Sequence, residues 1–224
     1  MQTIKDFMLD AETAGYAPDG AVVDMAVLTF VNDPHAPPTF KELCDSAIRV
    51  KFNLSDQKGT RVFDKEVIDW WRTQDEEARK HLRVSPEDVS IIEGVARIES
   101  FLKESGVDPW KSQGFCRGMS FDFPIMQNIL QQVSGLRDTF KLDWCKFWNQ
   151  RDTRTFIEAT LMTRGMTECP LPKGTLTGFV KHNSVHDIAR DCLMVIYSQR
   201  YALGLEDAPT QEEADPHSIK QKRT

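Results

Sequence analysis

The chain has 224 residues, 40% of them hydrophobic, and a formal net charge of −6 at neutral pH. This length suits one domain, or one domain with extensions, and the composition is sufficient for a hydrophobic core. The negative charge argues against a protein that coats DNA passively, because such proteins are usually basic. It does not exclude a nuclease, since bound metal ions reverse the local field that a phosphate meets.

The sequence contains no segment typical of a membrane or secreted protein. No apolar run approaches the ~20 residues that span a bilayer, and Lys5 and Asp6 place charge too early for the apolar core of a signal peptide. The cysteines lack the Cys/His spacing of a zinc site. We therefore expect reduced thiols in a cytoplasm. The five cysteines are widely scattered: Cys44, Cys116, Cys145, Cys169 and Cys192.

The first third of the chain has the pattern of strands followed by a helix. Residues 4–9 and 22–30 read as strands separated by a turn rich in glycine and proline. Residues 47–53 alternate apolar and polar side chains, which predicts a third strand with one covered face. Residues 65–82 carry a partial apolar stripe at helical spacing.

The middle of the chain predicts a helix, a short central strand and a second helix. Ser85 suits the N-cap of the first helix, which should end near Gly106. Residues 113–117 are the strand candidate, and Asp122 lies where this strand turns into a helix over residues 125–133.

The last third is predicted to be mainly helical. Residues 142–148 are expected to be partly extended, residues 151–164 and 183–203 helical, and residues 176–180 a further short element. Residues 206–224 are polar and are expected to form an extended or disordered tail. Strands first, then mixed helices and strands, predict an α/β protein with a mixed sheet.

Three short motifs carry acidic residues suited to metal chemistry. Asp10 and Glu12 are two positions apart, so on a strand both carboxylates project to one face. Asp122 belongs to the second motif, and His182 and Asp187 lead into the last long helix. Converging carboxylates can hold two divalent ions about 3.5–4 Å apart. A neighbouring histidine of near-neutral pKa can take a proton from water.

The third motif has two possible frames. The pair His186 and Asp191 has the same spacing as His182 and Asp187. The helix positions one, five and eight or nine residues after Asp187 are all apolar, whereas two of those after Asp191 are polar. The first frame is preferred on this ground, and the second stays open.

Longer strings around these motifs resemble a known family in their order along the chain. The acidic motifs are similar to those of the DEDDh exonucleases, a superfamily that includes proofreading subunits, oligoribonuclease and RNase T. The closer resemblance is to the phage exonuclease A group, which is related to exonuclease VIII. It rests on four strings: DWWR at 69–72, RGMSFDFP at 117–124, KFWNQRD at 146–152, and RT at 154–155.

The resemblance implies a fold and a set of site residues. The fold is ribonuclease H-like, with a five-stranded mixed sheet flanked by helices, formed by residues 1–205 and followed by the polar tail. The implied ligands of two Mg²⁺ or Mn²⁺ ions are Asp10, Glu12, Asp122 and Asp187, and His182 is the implied general base. Relatives often carry an asparagine upstream of the Phe-Asp pair; residues 117–119 are Arg-Gly-Met here, so no role of that asparagine is transferred.

The resemblance also implies an activity: metal-dependent release of mononucleotides from a free 3′ end. DNA, preferably single-stranded, is the expected substrate. A 3′–5′ exoribonuclease is the nearer alternative, and a non-catalytic binding module with the same fold is the more distant one. Intact acidic motifs argue against the binding module.

Other side chains that could meet a nucleic acid have structural alternatives. Trp70 and Trp71 are adjacent in a predicted helix and face different ways, so at least one is expected to be exposed and able to stack on a base. A core role is the favoured alternative for Trp71. Arg151 and Arg154 share a predicted helix face and suit either a phosphate or a salt bridge.

Overall fold

The computed structural model describes residues 4–80 and 83–219. In this part of the chain, none of the helices is long and apolar enough to cross a membrane. The strands are β1 (Asp6–Thr13), β2 (Val22–Phe30), β3 (Ile48–Lys51), β4 (Gly114–Cys116) and β5 (Gln150–Asp152). The helices are α1 (Phe40–Ser46), α2 (Lys65–Arg72), α3 (Glu76–Lys80), α4 (Ile91–Ser105), α5 (Asp122–Ser134), α6 (Thr153–Leu161) and α7 (Ser184–Ala202).

The five strands form one mixed sheet in the order β3-β2-β1-β4-β5. β2 pairs antiparallel with both β1 and β3, whereas β1, β4 and β5 run parallel. The connection from β4 to β5 contains α5, as is usual for parallel neighbours, whereas the one from β1 to β4 contains β2 and β3 as well as helices. The predicted α/β fold with a five-stranded mixed sheet flanked by helices is confirmed.

Helices cover both faces of the sheet, and β1 divides its side chains between them. Phe7 and Leu9 belong to a core with α4 and α5, while Met8 belongs to a second core with α7. Asp10 and Glu12 have the same parity as Met8, so they lie on the α7 face. The alternation of β1 thus directs both carboxylates toward the helix that carries the third motif.

Two strand boundaries differ from the sequence prediction. β1 continues to Thr13, so Asp10 and Glu12 lie within the strand rather than after it, because β2 pairs with this segment over its length. The predicted helix over 151–164 is replaced by β5 and α6. Arg151 therefore lies in an edge strand and Arg154 in a helix, and the shared helix face expected for them is wrong.

Two helix predictions also need correction. Residues 65–80 contain two helices, α2 and α3, separated by a break after Arg72, and residues 81 and 82 of the predicted helix lie outside the described residues. The next helix begins at Ile91 with Ser90 as N-cap, not at Ser85. The N–H of Val89 donates to the carbonyl of Lys51 at 2.9 Å, so this residue extends the sheet edge instead of entering the helix. The predicted helix end is confirmed at Gly106, where φ is 91°.

Several shorter segments also differ. α1 was not predicted, although Thr39 and Glu42 form a capping box at its start. Residues 142–148 form turns that lead into a 3-10 helix (Phe147–Asn149) rather than an extended segment, and residues 176–180 form no strand or helix.

The C-terminal segment packs against the body of the protein. The N–H of Asp215 donates to the carbonyl of Leu171 at 2.7 Å, and the Ser218 hydroxyl accepts from the N–H of Leu171 at 2.9 Å. Both Asp215 and Ser218 are buried. The expectation of an extended or disordered tail is therefore wrong for the described residues up to 219.

Candidate active site

The two carboxyl groups of β1, on Asp10 and Glu12, are buried and lie close to other acidic side chains. Burial raises the pKa of Asp10 well above its usual value, and the nearby charges of Glu12, Asp122 and Asp187 raise it further. Burial likewise raises the pKa of Glu12 well above normal, with added repulsion from Asp24, which lies directly across the β1–β2 pairing. Such carboxylates hold their protons more tightly than usual without metal, and a cation that binds between them displaces those protons.

Asp122 is held against β1 by the backbone. It is the first residue of α5, six positions beyond the end of β4, and its side chain is 4% exposed. Its Oδ1 accepts a hydrogen bond from the N–H of Ala11 at 3.1 Å. Burial raises its pKa to about 7, and the Ala11 hydrogen bond opposes that rise. The contact places the second motif beside the first.

The third motif lies in the turn that begins α7. Asn183 is the N-cap, and its side chain accepts from the N–H of Val185 at 3.2 Å. His182, with φ of 62°, donates its backbone N–H to Oδ2 of Asp187 at 2.9 Å. Burial raises the pKa of Asp187 to about 6, while Arg190, whose Nη2 lies 3.2 Å from Oδ1, lowers it.

The imidazole of His182 is suited to accept a proton. Burial lowers its pKa from the usual value, and the positive charges of Lys181 and Arg190 lower it further. The side chain is therefore neutral at neutral pH. A neutral imidazole has a free nitrogen lone pair, which serves either a proton or a metal ion.

The motifs converge on one cleft of about 970 Å³. Within the described residues, ligand atoms of Glu12, His182 and Asp187 lie within 4.8 Å of one another. Asp10 and Asp122 line the same cleft. A donor set dominated by carboxylate oxygens, with pKa values raised by burial and repulsion, fits hard divalent ions such as Mg²⁺ and Mn²⁺.

The second frame of the third motif has different surroundings. Nδ1 of His186 accepts from the N–H of Val180 at 2.9 Å, and its ring packs edge-on against Phe40 at 5.4 Å. Asp191 lines the cleft but forms a salt bridge with Arg117 at 2.7 Å. Burial opposes ionisation of Asp191, but its two arginine partners outweigh burial and lower its pKa.

A cleft residue, Arg190, and an acid beside the cleft, Asp24, were not singled out from the sequence. Arg190 bridges Asp187 and Asp191, both at 3.2 Å, and its position three residues after Asp187 on a helix was a usable signal. Asp24, with its Oδ1 buried and without a hydrogen bond, lies opposite Glu12 through strand register. Nothing local in the sequence indicates that pairing.

The two tryptophans of α2 differ in solvent exposure, as expected. Trp70 is 44% exposed and Trp71 is 4% exposed, so the prediction that at least one is exposed is confirmed. Both line the cleft next to His182. Arg154 also lines the cleft and donates to the carbonyl of Arg117.

The fold and the acidic cleft define a class: nucleases with a ribonuclease H-like fold. Residues 5–197 match the family described as the 3'-5' exoribonuclease Rv2179c-like domain. The chain is 53% identical over 225 residues to the exodeoxyribonuclease of Enterobacteria phage T4, covering 97% of this chain and 99% of the relative. The chain therefore belongs to this exonuclease family and is a hydrolase of phosphodiester bonds.

Solved structures show the same fold at low sequence identity. Cell-death related nuclease 4 matches with a TM-score of 0.54 and 12% identity, over 94% of this chain and 66% of that one. The E. coli ExoI–ssDNA complex in its zinc-bound form matches with a TM-score of 0.53 and 14% identity, over 88% of this chain and 40% of that one. The resemblance to DEDDh exonucleases drawn from the motifs is confirmed.

Proposed function

We propose that the protein is a metal-dependent exonuclease that removes nucleoside monophosphates from the 3′ end of single-stranded DNA, with residues 1–205 as its catalytic domain. The observation that carries the proposal is the convergence of four carboxylates and one imidazole in a single cleft of an exonuclease fold. The four proposed metal ligands are Asp10, Glu12, Asp122 and Asp187.

The choice of DNA is supported by the relative with high identity. The T4 protein is an exodeoxyribonuclease, and the alignment spans nearly all of both chains. The burial of the site supports a single-stranded end. Asp122 lines the cleft but is only 4% exposed, and an unpaired terminal nucleotide can bring its phosphodiester to such a buried group more readily than a base-paired one.

The four carboxylates fit two divalent cations, Mg²⁺ or Mn²⁺. When bound, such ions lower the pKa of a water molecule and stabilise the leaving oxygen of a phosphodiester. Asp10 and Glu12 project from one strand face and bring two negative charges to the same point. Their raised pKa values mean that binding of cations displaces protons from the protein.

His182 is the proposed general base. Its imidazole is neutral at neutral pH and lies beside Glu12 and Asp187, where it can accept the proton of the attacking water. The same position suits an imidazole ligand. We assign the base role because Mg²⁺ prefers an all-oxygen shell, which the carboxylates and water supply.

The test is metal-dependent digestion of matched DNA and RNA oligonucleotides labelled at either end. We expect 5′-labelled DNA to shorten stepwise and 3′-labelled DNA to lose its label in the first step as a mononucleotide. Chelation should stop the reaction, and Mg²⁺ or Mn²⁺ should restore it. Ca²⁺ should support little turnover, because its looser coordination suits an in-line displacement poorly. The Asp122→Asn protein is the matched control for contaminating nuclease.

The family description favours RNA as a second candidate substrate. Faster stepwise digestion of RNA than of DNA in the same assay would establish an exoribonuclease instead. Binding of both without cleavage would indicate a non-catalytic module. The proposed compartment is the cytoplasm, that of the host if the protein is phage-encoded, where the five cysteines, all unpaired in the structure, stay reduced.

A further inference from the structure

The His182 side chain is bordered by two tryptophans. The ring of Trp70 lies 5.2 Å from the imidazole, centroid to centroid, with planes at 83°. The ring of Trp71 lies 6.0 Å away at 78°. The two indoles contact each other at 4.8 Å. The imidazole thus meets two aromatic rings in edge-to-face geometry, a favoured arrangement for aromatic pairs.

Within the described residues, no hydrogen bond fixes the rotation of this imidazole. The backbone of His182 is anchored through its N–H to Asp187, but that bond leaves the side-chain torsions free. Among residues 4–80 and 83–219, no side chain or carbonyl forms a hydrogen bond with the ring of His182. His186 differs, since its Nδ1 accepts a backbone hydrogen bond.

The tryptophan pair is itself tied to the strand that carries the metal site. Nε1 of Trp71 donates to the carbonyl of Thr13 at 2.8 Å, and Thr13 directly follows Glu12. The start of α2 is held to the same region, because the N–H of Asp64 donates to the carbonyl of Ala14 at 2.9 Å. A continuous set of contacts therefore runs from β1 through α2 to the imidazole.

We propose that Trp70 and Trp71 are positioning residues that fix the His182 imidazole relative to Glu12. This proposal rests on the base role of His182 in the proposed function. Trp71 sets the distance of α2 from β1 through its hydrogen bond, and Trp70 closes the outer side of the imidazole. Removal of the Trp70 ring frees the imidazole to rotate, and misplacement of a catalytic group by about 1 Å can cost on the order of 10²-fold in rate.

The first test compares steady-state kinetics of Trp70→Leu, Trp70→Phe and a control. We expect Trp70→Leu to lower kcat about 10–100-fold with little change in KM. Trp70→Phe should retain most of the parent kcat, because it keeps an aromatic ring beside the imidazole. The control is Trp148→Leu, since Trp148 is similarly exposed (46% against 44%) but packs against Trp110, away from the cleft. It should leave kcat unchanged.

The second test is a double-mutant cycle with His182→Ala. If Trp70 acts through the imidazole, Trp70→Leu should cause no further loss of kcat once His182 is alanine. Trp71→Phe keeps a buried ring but loses the indole N–H, so it should lower kcat in the parent protein. It should cause no further loss of kcat once His182 is alanine. This second variant keeps the test valid if Trp70→Leu fails to fold, which thermal melting and Mn²⁺ titration would reveal.

Each remaining outcome overturns the positioning role. Equal losses from Trp70→Leu in the parent and in His182→Ala would mean that Trp70 acts independently of the base. A rise in KM with unchanged kcat would assign Trp70 to base stacking instead. Full activity of His182→Ala alone would refute the base role in the proposed function, and this result is separate from any effect of the tryptophans.

Discussion

Asp122 accepts a hydrogen bond from the backbone N–H of Ala11, the residue between Asp10 and Glu12, at 3.1 Å. One oxygen of the second-motif carboxylate is thereby tied to the strand that presents the first motif. The contact joins residues 111 positions apart in the chain and is buried. It makes the position of three carboxylates a property of the β1–α5 packing rather than of any single loop.

Replacement of Asp122 should separate this structural role from the metal role. Asp122→Asn keeps an oxygen acceptor for the Ala11 N–H but loses the charge. We expect this variant to lose more than about 10²-fold in activity, because Asp122 would bind the metal directly. Residues that only support a metal ligand typically cost about 10–100-fold when replaced. Asp122→Ala should lose the same activity and also about 1–3 kcal/mol of unfolding free energy, because it leaves a buried donor unpaired. Urea denaturation of both variants checks this; equal stabilities would show that the hydrogen bond contributes nothing.

The carboxylate pKa values predict how stability depends on pH. Burial raises the pKa of Asp122 to about 7 and that of Asp187 to about 6, well above the unfolded value of about 3.9. The folded, metal-free protein therefore binds protons more tightly than the unfolded chain. The protonated carboxyls of Asp122 and Asp187 therefore contribute stability that is fully present below about pH 4 and is lost as the pH rises through about 6 to 7.

Melting temperatures of the chelated protein should accordingly fall between about pH 5 and about pH 8. Mg²⁺ or Mn²⁺ should raise the melting temperature more at the higher pH, because cations then compete with fewer protons. Asp10→Asn removes one of the repelling charges and should flatten the metal-free slope. A melting temperature that does not change with pH in the chelated protein would contradict the prediction.

The two histidines should respond differently to alanine substitution. His182→Ala is expected to lose on the order of 10²–10⁴-fold in rate, the usual contribution of a general base. His186→Ala should retain chemistry but lose stability, since the Val180 N–H loses its acceptor. Calorimetric Mn²⁺ titration distinguishes base from ligand: affinity near that of the parent in His182→Ala supports the base, and a large loss of affinity indicates a ligand.

The two aspartates of α7 form a matched pair of substitutions. Asp187→Asn should abolish turnover in a protein that still folds. Asp191→Asn should instead destabilise the fold by about 3–5 kcal/mol, because it leaves the half-buried Arg117 partly uncompensated. Activity per folded molecule, with the folded fraction from circular dichroism, is the deciding measurement. Loss of turnover confined to Asp191→Asn would favour the second frame of the motif.

The sequence by itself determined what depends on neighbours along the chain. The two-residue spacing of Asp10 and Glu12 sufficed to predict a shared face, because side chains alternate on any strand. Gly106 marked the end of α4, because glycine tolerates the left-handed conformation found there. The limits of β2, residues 22–30, also agree with the apolar run.

Only the tertiary structure decided features that depend on distant partners. Ser85 has the local signals of a helix start, yet the pairing of Val89 with Lys51 delays the helix to Ile91. Spacing allowed both histidine frames. The frames differ in the folded chain because Asp191 meets Arg117, 74 residues away. The contact of Trp71 with β1 joins residues 58 positions apart. Burial and charge at such meeting points set each side chain's chemistry, and local sequence patterns contain no information about them.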